Sequence, residues 1–349
     1  MKHKTKSCIR CITTLFLIFL VSACNNKPKS DFIAFNGQTM GTYYAIKYKD
    51  KNTNLHKKPI DNLLKTLNNS VSTYISTSLI SQFNQAPADS LVKVDSYFSE
   101  IFGTAKEVYE TTDGCFDPTV MPLVNFWGFG YTKNEKKFEN PPIDSLLQLV
   151  DFESVILIDS LDSASKPLFF VKKLKKNIQL DFSAIAKGYG VDIVADFLES
   201  KGIENYLIDI GGELRAKGKN ANDKIWRIGI DKPIEDVKKR DLQQIISLDG
   251  KAVATSGNYR NFYVKDKQKY VHTINPKTGF SEISNLLSVS MFAENCMLAD
   301  AYATACMVMG YKEAKKMVLK NDKIDALFIY SDSTGVFKTD FTEEVMIAR

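Results

Sequence analysis

The sequence predicts an α+β fold, mainly antiparallel sheet with inserted helices. Two observations carry that expectation. Short strand-like stretches separated by Gly and Asn crowd the second half of the chain, a spacing that suits hairpins better than crossovers. Helical periodicity appears only in a few longer windows and does not alternate regularly with the strands, as a βαβ design would require.

Taken in order, Leu63, Leu64, Leu67 and Val71 mark a first amphipathic helix. Phe98, Ile101, Phe102, Ala105 and Val108 mark a second, stopped by Gly114 after Thr111, Thr112 and Asp113. Tyr131 to Lys176, with Pro141-Pro142 and many lysines, reads as a surface excursion with little part in chemistry. Ile178 to Phe182 alternates as a strand. Val191, Val194, Ala195 and Leu198 then form a helix closed by Gly202. Strands are expected at Tyr206–Ile210, Trp226–Ile230, Gln244–Leu248, Ala252–Thr255, Phe262–Val264, Val271–Ile274 and Leu286–Ala293. The last leads into an apolar helix carrying Asp300. Tyr311–Leu319 is helical, and Ala326–Tyr330 is a final strand turned at Ser333, Thr334 and Gly335. No repeat or low-complexity tract interrupts this order. The full chain is 44% hydrophobic, and the stretch 35–340 is long enough for one large domain or two intimate lobes.

Residues 1–23 have the form of a secretory signal. Lys2, Lys4, Lys6 and Arg10 precede an apolar run, Ile12 to Val21, that is too short to span a bilayer core of about 30 Å. The run ends in Val21-Ser22-Ala23-Cys24, which resembles a lipobox whose cysteine is lipidated after cleavage. Residues 24–34 would then be a polar tether. No acidic run follows Cys24, which leans toward the inner membrane with the protein on the periplasmic side. Cleavage would remove four positive charges and no negative ones, lowering the formal net charge from +5 to +1. The basic excess therefore belongs to the signal, and nucleic acid is not an expected partner. Cys115, Cys296 and Cys306 remain after Cys24. Three cysteines without a CxxC spacing suggest neither a disulfide framework nor a zinc site.

Five segments combine glycine with polar residues: 38–44, 113–130, 180–190, 256–260 and 272–279. Asp300 and Thr304 stand four residues apart on one helix, so they share a face about one turn apart. A carboxylate and a hydroxyl so placed form two ligands for a hard cation such as Mg2+. The competing reading is a cap by Asp300 and a Thr304 hydroxyl bonded back to the carbonyl at 300. In Leu180-Asp181-Phe182-Ser183-Ala184-Ile185-Ala186-Lys187-Gly188-Tyr189-Gly190, a strand end turns into a helix start, where N–H groups favour anions and Lys187 adds charge. The spacing matches neither a P-loop nor a dinucleotide fingerprint. His272, ahead of the Pro276-Lys277-Thr278-Gly279 turn, is a candidate base for taking a proton from a hydroxyl.

These segments, in this order, resemble the ApbE family of flavin transferases. The resemblance runs from about Phe35 to Lys338 through TMGT, DGCFDPTVMPLVNFWGFG, LDFSAIAKGYGVD, SGNYRNFY, HTINPKTG and DAYATACMVMG. It implies Mg2+-dependent transfer of FMN from FAD to a threonine hydroxyl of an acceptor flavoprotein bearing a Ser/Asp-Gly-Ala-Thr/Ser-like motif, with release of AMP. It implies that Met40, Tyr74, Cys115, Phe116, Asp117, Asp181, Lys187, Ile274 and Ala303 line the FAD site. Asp300, Thr304 and the Ala184 carbonyl would hold Mg2+, with His272 and Asp300 catalytic. Cys115 replaces the usual alanine and Met121 a frequent glycine, while Tyr43 occupies a variable position. An FAD pyrophosphatase giving FMN and AMP, or a non-catalytic flavin-binding lipoprotein, are the alternative readings.

Overall fold

A computed structural model describes residues 31–348, apart from 53, 133–141, 235–240, 260–261, 266–267, 282–283 and 344. The signal, Cys24 and most of the tether lie outside the described residues. Fifteen strands are described: β1 (Phe32–Thr39), β2 (Thr42–Lys49), β3 (Val92–Val94), β4 (Val155–Leu161), β5 (Pro167–Lys173), β6 (Tyr206–Ile210), β7 (Glu213–Lys217), β8 (Trp226–Asp231), β9 (Leu242–Leu248), β10 (Lys251–Gly257), β11 (Phe262–Lys265), β12 (Gln268–Val271), β13 (Leu286–Ala293), β14 (Ile324–Ser331) and β15 (Phe337–Phe341). The helices are α1 (Lys57–Val71), α2 (Leu79–Gln85), α3 (Ser96–Thr111), α4 (Met121–Phe126), α5 (Ile143–Leu147), α6 (Ala186–Ser200) and α7 (Cys296–Val318). The architecture is the expected antiparallel α+β arrangement. Eight strands form one sheet in the order β1-β2-β6-β7-β10-β13-β14-β15, and every pairing in it is antiparallel.

The centre of that sheet is covered on both faces. Ala252, Ala254, Val289, Met291, Ala326 and Phe328 face the main core, where α6 and α7 pack. Val253, Phe292, Leu327 and Ile329 face the opposite way, into a second cluster with Trp226, Ile228 and Ile246 of the β8–β9 hairpin. Two-sided burial explains why β13 and β14 read as apolar runs rather than alternating strands. A third cluster, made by Leu123, Trp127, Ile143 and Ile274, sits beneath the β11–β12 hairpin. There the Trp127 ring stacks on Tyr270 at 5.5 Å, and its Nε1 donates to the Gly279 carbonyl at 2.7 Å.

Helix starts follow local chemistry. Asp95 caps α3 by accepting from the Phe98 N–H at 2.9 Å, and Asn295 caps α7 by accepting from Leu298 at 2.9 Å. Gly310 breaks α7 with φ 73° and ψ 167°, so the separate helix expected from Tyr311 is present as its continuation.

Four sequence expectations need correction. Ile178–Phe182 alternates as expected but joins no sheet. Its backbone is satisfied by Asn84, which donates to the Leu180 carbonyl at 2.9 Å and accepts from the Leu180 N–H at 2.7 Å, much as a neighbouring strand would. Lys173 Nζ donates to the Ile178 carbonyl at 2.9 Å. The strand placed at Val271–Ile274 ends where it was expected to begin, because Ser281 Oγ takes the Val271 N–H and only Ile274 forms a further bridge. The supposed excursion 131–176 contributes β4 and β5, whose Val171 is fully buried in the main core together with Phe152; residues 133–141 lie outside the described residues. Finally, the hairpin β1–β2 and the strands β7 and β15 were not expected from the sequence.

Candidate active site

The 180–190 segment meets the Asp300 helix where α6 and α7 cross. Gly188 permits that crossing: a Cβ there would lie 2.3 Å from the Cys296 carbonyl oxygen and 2.9 Å from Asp300 Cβ. The Gly188 N–H donates to Asp300 Oδ2 at 3.0 Å. That N–H lies in the first turn of α6, which begins at Ala186, so no carbonyl within the helix is placed to accept it. Ala184 precedes the helix, and no hydrogen bond to its carbonyl is among the described ones. Asp300 is 3% exposed. The start of its helix is fixed by Asp192, which accepts from the N–H groups of Cys296 at 2.9 Å and Met297 at 2.8 Å. Arg215 Nη1 donates to the same carboxylate at 3.1 Å. Burial nonetheless raises Asp192 to about 6.

Thr304 lies one turn beyond Asp300 and is half-buried. The hydroxyls of Thr66, Thr111 and Thr112 bond back to carbonyls four residues earlier. No such bond from Thr304 is among the described ones, so that half of the competing sequence reading has no support here. The other half holds: the Asp300 carboxylate accepts a first-turn N–H of α6, as a cap does.

Lys187 stands between two acids. Its Nζ donates to Glu213 Oε1 at 2.6 Å and lies 3.8 Å from Asp300 Oδ1. Burial disfavours its charge, but Asp300 and Glu213 together hold its pKa above the ordinary lysine value. Burial pushes Glu213 upward, and Asp300 adds to the rise, against the pull of Lys187. Glu213 Oε2 is buried without a hydrogen-bond partner. Sequence reasoning missed Glu213. The signal for it was the Gly211-Gly212 pair after β6, whose φ values of 63° and 103° turn the chain so that β7 begins at the acid.

Several of the other candidate segments are tied to α6 or to one another. Met40 and Gly41 form the two-residue β1–β2 turn with φ of 49° and 70°, a left-handed conformation unusual for methionine. A Cβ on Gly190 would lie 3.0 Å from Met40 Cε, so the turn packs on the start of α6. Asp117 is buried, caps the turn Pro118–Val120, and accepts from the Thr119 N–H at 2.7 Å and hydroxyl at 2.5 Å; burial pushes it up to about 6. The Asp181 N–H donates to the Pro118 carbonyl at 2.8 Å, joining two of the five segments. Burial raises Asp181 as well, against two bonds from Ser183. Desolvation and then the Asp181 charge raise the largely exposed Tyr74 phenol, so the two lie within electrostatic reach.

Lys277 Nζ donates to Asp113 Oδ2 at 2.6 Å, and the Thr273 hydroxyl donates to Asn258 Oδ1 at 2.8 Å. These bonds tie the 272–279 loop to two further segments. Cys115 is partly exposed and lies within electrostatic reach of both Lys277 and Cys306. His272 is half-buried directly after β12. Phe116, Ile274 and Ala303 are buried at 3%, 5% and 0% exposure, Ala303 within the main core.

The expected donor set would suit a hard divalent cation: one carboxylate, one hydroxyl and one backbone carbonyl, all oxygen. Among the described residues no cluster of three or more His, Cys, Asp or Glu is present, so nitrogen- and sulfur-rich coordination has no candidate there.

The sequence profile of the ApbE family matches residues 40–328. The FAD:protein FMN transferase of Vibrio cholerae is 37% identical over 93% of this chain and 94% of its own. That of Haemophilus influenzae is 33% identical over 96% of both chains. Among solved structures, the flavin transferase ApbE from Vibrio cholerae superposes with a TM-score of 0.77 at 34% identity, covering 89% of this chain and 97% of that one. The apo flavinyl transferase ApbE of Pseudomonas stutzeri gives 0.75 at 32% identity, covering 89% and 95%.

Proposed function

The chain belongs to the ApbE family, and from that premise we propose that it is an FAD:protein FMN transferase that uses a divalent cation, Mg2+, at Asp300. An acceptor threonine hydroxyl attacks the FMN-side phosphorus of FAD, a phosphoester bond to the protein forms, and the pyrophosphate bond breaks to release AMP. The observation that carries the reading is the α6–α7 crossing, where the buried Asp300 carboxylate accepts the Gly188 N–H and lies beside the Lys187 ammonium.

Phosphoryl transfer asks a protein mainly to position the reactants and to neutralise charge on phosphate oxygens. Asp300, Thr304 and the Ala184 carbonyl would hold the cation, which supplies Lewis-acid stabilisation of those oxygens when bound. Lys187, kept protonated by its two acids, contributes fixed positive charge beside the site. Met40, Tyr74, Cys115, Phe116, Asp117, Asp181, Ile274 and Ala303 form or back the flavin site. His272 takes the proton from the acceptor hydroxyl, an effect worth on the order of 100- to 10,000-fold in rate. The acceptor presents its threonine in a Ser/Asp-Gly-Ala-Thr/Ser-like loop.

The enzyme is further proposed to be a lipoprotein, anchored through Cys24 to the inner membrane and facing the periplasm. No helix among the described residues is long and apolar enough to cross a membrane.

The test is to incubate mature protein with FAD, Mg2+ and an acceptor bearing such a loop, then to inspect a denaturing gel for flavin fluorescence. A fluorescent acceptor is expected, and Asp300→Ala should abolish it together with AMP release. Free FMN without a labelled acceptor would replace the transferase by a pyrophosphatase. Intact FAD would overturn catalysis altogether.

A further inference from the structure

Glu213 is a buried acid whose pairing is half complete. It is 4% exposed, its Oε1 is 2.6 Å from Lys187 Nζ, and its Oε2 has no hydrogen-bond partner. A buried anionic oxygen without a donor is costly, and native structures keep such atoms where a water, an ion or a ligand completes them. The same lysine lies 3.8 Å from Asp300 Oδ1, so one ammonium group bridges Glu213 and the proposed metal ligand. Two carboxylates against one cation leave the pocket short of positive charge when both are ionised.

The hairpin shape makes this placement deliberate. Gly211 and Gly212 adopt positive φ, and a Cβ on Gly211 would lie 2.7 Å from Thr42 Cγ2, so the turn is held tightly against the start of β2. The acid that follows is the first residue of β7, and α7 packs on both β7 and β10.

We propose that Glu213 is a positioning residue for the divalent cation: Oε1 holds the Lys187 ammonium, and Oε2 accepts a hydrogen bond from a water of the cation's hydration shell. This deepens the metal reading above and rests on it. Mg2+ loses its waters reluctantly and is commonly held by few protein ligands with several waters retained. Acceptors for those waters orient the shell, and their loss typically costs 10- to 100-fold in metal affinity.

The experiment titrates Mn2+ into metal-free mature protein, with FAD present and no acceptor, following the free-Mn2+ paramagnetic resonance signal. Glu213→Gln, nearly isosteric but uncharged, should weaken Mn2+ binding by about tenfold or more. Should that variant not be recovered folded, Glu213→Asp, which retracts the carboxylate by one methylene, carries the same expectation. In a Lys187→Met background the Glu213→Gln loss should persist. Its disappearance there would mean that Glu213 acts only by restraining the lysine, and would overturn the hydration-shell role. If Asp300→Asn weakens binding while Glu213→Gln does not, this inference fails alone. If neither matters, or the wild-type protein binds no Mn2+, the metal reading itself fails.

Discussion

Replacing Gly188 by alanine tests whether the α6–α7 crossing is as tight as it must be for the proposed site. The added Cβ would lie 2.3 Å from the Cys296 carbonyl oxygen, 2.6 Å from its carbon and 2.9 Å from Asp300 Cβ. Carbon contacts are relaxed near 3.5 Å, so the helices must part by about 1 Å. Overpacking of this kind costs about 1–3 kcal/mol, and the upper end applies because the obstacle is backbone. Parting the helices also strains the bonds from Cys296 and Met297 to Asp192, and hydrogen bonds to charged groups are worth about 1.5–3 kcal/mol. A total of at least about 3 kcal/mol lowers Tm by roughly 6 °C or more, at 2–4 °C per kcal/mol for a domain approaching this size. The Gly188 N–H would also be drawn from Asp300 Oδ2, so FMN transfer should fall beyond what the fraction folded explains. Calorimetry and the gel assay measure the two effects. Gly103 supplies the control: it lies within α3 with nothing within 4 Å of its Cβ position. Gly103→Ala should raise stability by about 0.5–1 kcal/mol through helix propensity alone. Unchanged Tm and unchanged transfer in Gly188→Ala would refute the reasoning.

Three further predictions follow from the surroundings. His272→Ala should lower kcat by about 100-fold or more while FAD affinity, read by fluorescence titration, changes little; parallel losses would show that the residue only binds. Asp117 titrates near 6 in the folded protein against about 3.9 in the unfolded chain, because burial favours its neutral form. The folded state then binds the extra proton between those values, so this group's contribution to stability is lost as pH rises from about 4 to 6. Tm measured from pH 4 to pH 7 should accordingly rise for Asp117→Asn relative to wild type, and a constant difference would contradict the assignment. Trp127→Phe removes the donor to the Gly279 carbonyl and should cost about 1–3 kcal/mol by orphaning it. Because that carbonyl belongs to the loop after His272, turnover should drop more than FAD binding.

How far the sequence could be read depended on where each residue's partners lie. Asp300 and Thr304 were legible because their relation is local: four residues on a helix define a face wherever that helix packs. The long strand β13 was legible for the same reason, since its apolar run needs no knowledge of its neighbours. Ile178–Phe182 shows the limit. Its alternation is real, with Ile178, Leu180 and Phe182 fully buried, yet the partner that completes it is the side chain of Asn84. No pattern within the segment could distinguish that from a sheet.

Glu213 lies beyond the limit altogether. Its chemical meaning arises from β7 pairing with β6 and β10 in the sheet and from α6 bringing Lys187 across to it. Read along the chain, it is one acid after two glycines, 87 positions before Asp300. Read in the fold, the two carboxylates share one ammonium. The proposed metal pair on α7 could be read from spacing because a helix brings residues four apart onto one face in advance. The groups that balance its charge come from a sheet strand and a second helix, so only the completed topology makes them neighbours. The site therefore divides into a part written locally and a part created by packing, and mutations at Gly188 and Glu213 probe the second part while leaving Asp300 and Thr304 themselves in place.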